Sequence, residues 1–124
     1  MVTIKSYTDL EQSKKLAEIL SLDSADMKWY FWKSEIDAPK LPTFGYSKTA
    51  AESYKDTEAV YLACWSLSAL LKTLNFPSLT QNKEDEWEVC VFDHDNDDYI
   101  EEKASNPVDA AYKMIIKLKE LNLL

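Results

Sequence analysis

Three aspartates alternate in the run Asp93-His94-Asp95-Asn96-Asp97-Asp98. Asp93, Asp95 and Asp97 reproduce the first three ligand positions of a calcium-binding EF-hand loop, where carboxylate oxygens surround a hard cation. The remaining loop chemistry is missing. Asp98 stands where the sharp turn needs glycine, and Ala104 stands where a bidentate glutamate is needed. A hairpin turn explains the same residues, because Asp and Asn side chains bond to their own backbone. Weak divalent-cation binding at this turn is the sharper alternative.

Other residue types capable of chemistry are scattered. His94 is the only histidine, and no cysteine pair accompanies it, so neither a zinc spacing nor a Cys–His dyad is present. No serine sits in a glycine-framed nucleophile elbow. Gly45, the only glycine, cannot build a phosphate-cradling loop alone. Acidic residues could pair for acid–base work, but the sequence brings no two of them into one cleft. No cofactor is implied. Cys64 and Cys90 each lie in an apolar run and read as buried free thiols of a reducing compartment, with a disulfide between them as the second reading.

Charge is distributed unevenly. The net charge is −8, yet ten acidic residues and no basic one lie between Glu84 and Glu102. The remaining chain holds 14 lysines against 12 acids, a balance of +2. No arginine is present, and arginine is the residue suited to bidentate phosphate and base-edge contacts. This balance argues against nucleic acid or an anionic membrane as partner. An acidic surface for a basic protein partner fits it, with Asp93, Asp95, Asp97, Asp98, Glu101 and Glu102 as candidate contact residues. Solvated acidic loops are the plainer explanation.

The elements that must position these groups can be read in order. Thr8-Asp9-Leu10-Glu11 has the form of a capping box with Thr8 at the cap, opening a helix to about Leu20. Met27 to Lys33 reads as a strand, with Met27, Trp29 and Phe31 on one face and Tyr30 and Trp32 on the other. Ser34 to Lys48 holds Pro39, Pro42 and Gly45 and is the longest loop-like stretch, a lid, a partner-binding loop or a plain connection. Thr49 to Ala63 fits a helical spacing through Ala50, Tyr54, Thr57 and Tyr61, while Ala59-Val60-Tyr61-Leu62 fits a short strand; periodicity does not decide between them.

Ala63 to Leu71 is the most apolar run. Ser66 can cap a helix there, which puts Trp65 and Leu70 at the two positions of a hydrophobic staple. Leu67, Leu70, Leu71 and Leu74 follow at helical spacing until Pro77. Leu79-Thr80-Gln81 reads as a short strand. Trp87 to Phe92 is the clearest strand, with Trp87, Val89 and Val91 opposite Glu88, Cys90 and Phe92. Tyr99 to Lys103 returns to complete a hairpin. Asn106 caps the last helix, with Pro107 at its first position and Asp109 in its first turn. Val108, Ala111, Tyr112, Ile115 and Leu118 form its apolar stripe, and Leu121 to Leu124 should dock.

Two of these segments carry a resemblance. Trp65-Ser66-Leu67-Ser68-Ala69-Leu70-Leu71 resembles a Pro-x-Trp-Ser-Leu-x-Ala-Leu-Leu motif, with Ala63 here in place of the proline. Asn106-Pro107-Val108-Asp109-Ala110-Ala111 and Met114 to Leu118 resemble its C-terminal helix, and Tyr7 to Leu10 and Lys15 to Leu20 also fit. The pattern is that of small uncharacterised proteins of gut Bacteroidales and their prophages or mobile elements. The resemblance implies a bacterial cytoplasmic protein or a phage accessory factor, and implies no activity.

At 124 residues, 46% hydrophobic and 12% aromatic, the chain is expected to form a single domain spanning 1–124. No apolar run is long enough to span a membrane, and Met1 to Lys5 leads straight into polar sequence without a signal peptide. The expected fold is α+β, about three helices on one face of a small antiparallel sheet that contains the Trp87 hairpin. The leading functional expectation is a cytoplasmic, non-enzymatic interaction module using the acidic hairpin. The alternative is a small-molecule binder or small enzyme with a pocket between the 34–48 loop and the Trp65 helix.

Overall fold

The computed structural model describes residues 5–38 and 40–124. The reading of Met1 to Ile4 and the place of Pro39 lie outside those residues. The fold is α+β, as the sequence predicts, but its strands form two three-stranded antiparallel sheets instead of one. The first sheet has order β2-β1-β3, from β1 (Met27–Trp32), β2 (Thr43–Phe44) and β3 (Ala59–Cys64). The second has order β4-β5-β6, from β4 (Ser78–Gln81), β5 (Trp87–Asp93) and β6 (Asp98–Ala104). Four α-helices accompany them among the described residues: α1 (Leu10–Ala17), α2 (Lys48–Tyr54), α3 (Leu67–Lys72) and α4 (Pro107–Glu120).

The ambiguous stretch from Thr49 to Ala63 resolves into both readings. Its first half is α2, capped by the Ser47 hydroxyl, and its second half is β3. The turn between them passes through Asp56 at φ 64°, a left-handed conformation that aspartate tolerates better than most residues. The 34–48 segment is likewise more structured than a loop. Its Thr43 and Phe44 pair with Lys28 and Met27, and the Gly45 amide donates to the Asp26 carbonyl at 2.8 Å. Gly45 has φ 89°, so its conformation, not its surroundings, calls for glycine.

The seam between the sheets is Ala63-Cys64-Trp65. Successive strand side chains point to opposite faces. Ala63 therefore enters the main core, Cys64 enters a smaller core with Met27, Trp29 and Phe31, and Trp65 returns to the main core. Trp65 and Leu70 are both fully buried there, and Ser66 accepts from the Ala69 amide, which bears out the cap and staple positions. The Trp65 indole N–H donates to the Ser24 hydroxyl at 2.9 Å.

The first helix starts one residue later than expected. Asp9 is the cap, and it exchanges capping-box bonds with Gln12. Thr8 is instead buried in a polar network. Its hydroxyl accepts from the Trp65 amide at 3.1 Å and lies 2.8 Å from the Ser13 hydroxyl, which in turn accepts from the Trp29 indole N–H at 3.2 Å. The tertiary use of Thr8 overrides its local capping preference. The α4 stripe is also rotated slightly. Met114 and Ala110 are fully buried while Tyr112 is half-buried, so the core stripe runs through Val108, Ala111, Met114, Ile115 and Leu118. Beyond it Leu123 docks, its amide bonded to the Leu118 carbonyl, whereas Leu121 and Leu124 face outward.

Candidate functional site

The acidic segment is not one patch in space. Glu84, Asp85 and Glu86 lie at the β4–β5 turn, and Asp95, Asp97 and Asp98 lie at or beside the β5–β6 turn. The seven residues of β5 separate the two turns by roughly 20 Å, at about 3.3 Å per residue. The strand alternation divides the rest. Glu101 stands opposite Cys90 on one face, and Glu102 stands opposite Val89 on the face covered by α4. The six candidate contact residues therefore do not form one surface: Asp95, Asp97, Asp98 and Glu101 are exposed, Glu102 is half-buried and Asp93 is buried.

Asp93 has a different role from the one its spacing suggested. Its carboxylate accepts from the Asn96 side-chain amide at 2.6 Å and from the backbone amides of Asp95 and Asn96. The Asn96 amide first, then the two backbone donors, hold its carboxyl below the ordinary carboxylate range. Asp97 closes the turn at φ 51°. The alternating aspartates are turn chemistry, and no group of three His, Cys, Asp or Glu side chains among the described residues is placed to hold a metal ion.

The two faces of the second sheet differ. Val89, Val91 and Ala104 face α4 and are buried. The other face aligns Ser78, Cys90 and Glu101 in one row, Thr80, Glu88 and Lys103 in another, and Phe92 and Tyr99 in a third. Most of this face is open to solvent, and Tyr99 is 65% exposed. The Phe92 ring lies 5.1 Å from Tyr99 and 4.7 Å from His94, edge-on to both. A Lys103–Glu88 ion pair at 3.6 Å crosses the strands. Phe76 lies two residues before β4, outside the strand. It is 90% exposed and held at φ 46°, a conformation unusual for a bulky residue. The sequence reading passed over Phe76; an aromatic directly before Pro77, just beyond the end of a helix, was the available signal.

Neither cysteine is disulfide-bonded. Cys64 is buried and Cys90 half-buried, and burial pushes both thiols up, helped at Cys90 by the Glu101 carboxylate. Neither is poised as a thiolate nucleophile. The Ser66 hydroxyl approaches the Asp26 carboxylate, but it simultaneously caps α3, so it is a structural serine.

Two of the concavities among the described residues bear on these readings. One is a shallow groove of about 480 Å³ against Tyr46, Tyr54 and Tyr61. It runs along α2 and β3 and does not touch the Trp65 helix, so it is not the pocket expected between the 34–48 segment and that helix. The other is a more enclosed cavity of about 310 Å³ beneath the β5–β6 turn, which includes Asp93, His94 and Asp95 in its lining. Comparison with protein-family models, with curated proteins and with solved structures returns no match.

Proposed function

We propose that the protein is a non-enzymatic interaction module, and that its partner is a protein with a basic surface docking on the uncovered face and tip of the second sheet. The observation that carries this reading is the exposure of Tyr99 on a face that also presents Glu101, with Asp95, Asp97 and Asp98 at its end. Exposed aromatics are the usual anchors of protein interfaces, and a charged rim steers the encounter. No thiolate, metal group or nucleophile–base pair competes for an enzymatic reading of the same face. The resemblance to small uncharacterised proteins of gut Bacteroidales and their prophages or mobile elements fits a bacterial cytoplasmic setting, and it implies no activity. No helix among the described residues is long and apolar enough to cross a membrane.

The test is retention from a lysate of a Bacteroidales host on immobilised full chain. The expected result is a basic protein that is held at low salt and released as salt rises. Tyr99→Ala and the triple change Asp95→Asn, Asp97→Asn, Asp98→Asn should each reduce its retention. Recovery of nothing, or equal recovery by wild type and both variants, overturns the reading.

A further inference from the structure

We infer that the cavity beneath the β5–β6 turn is a binding site for a small molecule with an apolar body and a cationic amine head. It differs from the protein-partner reading in resting on the apolar hollow behind the turn, and it shares with that reading only the tip residue Asp95 and the edge of Phe92. The cavity's floor is apolar: Leu74, Val91 and Leu118 are buried, and Ile100 and Leu123 are half-buried. They come from the end of α3, from β5, from β6 and from the end of α4, so four parts of the chain converge to leave the space unfilled. At about 310 Å³ it falls at the lower end of the range for small-ligand pockets, about 300–1,000 Å³.

The rim has the opposite character. Asp95, His94 and Asn75 are exposed there, and Asp93 lies just inside. No lysine is among the lining residues. The carboxyl of Asp93 stays ionised near neutrality because its own turn donates three hydrogen bonds to it. An apolar floor under two carboxylates selects the sign of a ligand's head. A cation placed at the rim is attracted by both carboxylates, and a carboxylate ligand is repelled by both. The floor takes the apolar body irrespective of its head.

Three probes with one body separate these contributions: phenylbutylamine, phenylbutanol and phenylbutyrate. Each is titrated into the isotope-labelled full chain, and backbone amide shifts are followed by NMR. The expected result is saturable shifts at Leu74, Val91, His94 and Leu118 with the amine, and affinity about tenfold or more lower with the carboxylate. Asp95→Lys, an exposed change that keeps the backbone bond at the turn, should reverse that order. Equal affinity for the three heads overturns the assignment, as does an unaltered order in Asp95→Lys. Shifts scattered away from the cavity, or none, overturn the site itself. The Asp95→Lys spectrum with no probe present reports whether the turn is still folded. If it is not, Asp95→Asn serves in its place, with the amine's advantage expected to shrink and an unchanged advantage counting against the site.

Discussion

The two sheets are built alike and finished differently. Each has three antiparallel strands, and each lays one face on the core. The first sheet's outer face is partly covered by the chain itself, although Tyr30 and Trp32 on it stay exposed. Tyr30 and Tyr61 on its strands meet Tyr54 of α2 at ring separations of 5.0 and 5.6 Å, and Tyr46 lies 5.5 Å from Tyr61. Lys28 adds a cation 5.8 Å from the Tyr61 ring, and the Tyr61 hydroxyl accepts from the Ser47 amide. Among the described residues, the second sheet's outer face has no comparable cover. Its aromatic pair, Phe92 and Tyr99, is backed only by His94. Similar residue types therefore have different consequences: the tyrosines of the first face pack on one another, whereas Tyr99 meets only Phe92 and stays largely open to solvent.

The largest expected effect tests whether the two halves share one cooperative unit. Trp65 is fully buried on the seam, next to Cys64 of the smaller core. Trp65→Ala should cost about 3–5 kcal/mol, the range for losing a buried aromatic. Chemical denaturation followed separately at the Tyr54 cluster and at the β5–β6 hairpin should give one shifted transition. Two separate transitions would show that the halves unfold independently.

Thr8→Val comes next. The substitution keeps the volume but leaves the Trp65 amide and the Ser13 hydroxyl without the partner they now share. An unsatisfied buried donor costs about 1–3 kcal/mol, so the denaturation midpoint should fall by a corresponding amount. Thr8→Ser, which retains the hydroxyl, should recover most of the loss. Equal losses in the two variants would assign the effect to the missing methyl group.

What was legible in the sequence follows from how locally each feature is determined. The Asn106-Pro107-Val108-Asp109 start of α4 is written in adjacent residues, and the structure has Asn106 accepting from the Asp109 amide as read. Ser66 and the faces of β1 are local in the same sense. The cap of α1 was misplaced because Thr8 and Asp9 both suit that position, and a contact 57 residues away decides between them. The acidic block misled for a geometric reason. Residues near in sequence are far apart in space when an extended strand lies between them, so ten acids became two turns and two faces. The cavity was invisible because its walls, around Leu74, Val91 and Leu118, are distant in sequence and carry no motif.

The same contrast predicts unequal responses from aromatic substitutions on the two outer faces. Tyr54→Ala removes a ring that meets two others, and about 0.5–1.5 kcal/mol per aromatic pair is at stake beyond the area it buries. Tyr99→Ala should cost less, about 0.5–1.5 kcal/mol at most for its one pair with Phe92. Phe76→Asn should be neutral or raise stability by about 1 kcal/mol, because it relieves a left-handed bulky residue. A stability gain accompanied by loss of partner retention would be the mark of a residue kept for binding at a conformational cost. A loss of stability in Tyr99→Ala as large as that in Tyr54→Ala would show that the second face is as structurally engaged as the first.

The smallest effect is a pH dependence at the link between the halves. Lys5 donates to Asp109 at 2.9 Å and to Asp9 and Gln12 of the first helical region, and Gln12 also donates to Asp109. These bonds join α1, beside the first sheet, to α4, which covers the second. Burial on its own would raise the Asp109 carboxyl, but the bonds from Lys5, Gln12 and Asn106 outweigh it and hold the group below its ordinary value. A depressed folded-state value means that the ionised form is the one the fold favours. Its contribution is fully present above the ordinary carboxylate range and fades as pH falls through the lowered folded-state titration. Asp109→Asn should therefore lose stability at neutral pH and should lose less than wild type on further acidification, so the two denaturation midpoints converge at low pH. Lys5→Met should show the same convergence, since it removes the cation that helps keep Asp109 ionised. Parallel pH profiles for wild type and Asp109→Asn would mean that the link contributes through packing alone, and that the two halves are joined at the Trp65 seam without electrostatic help from Asp109.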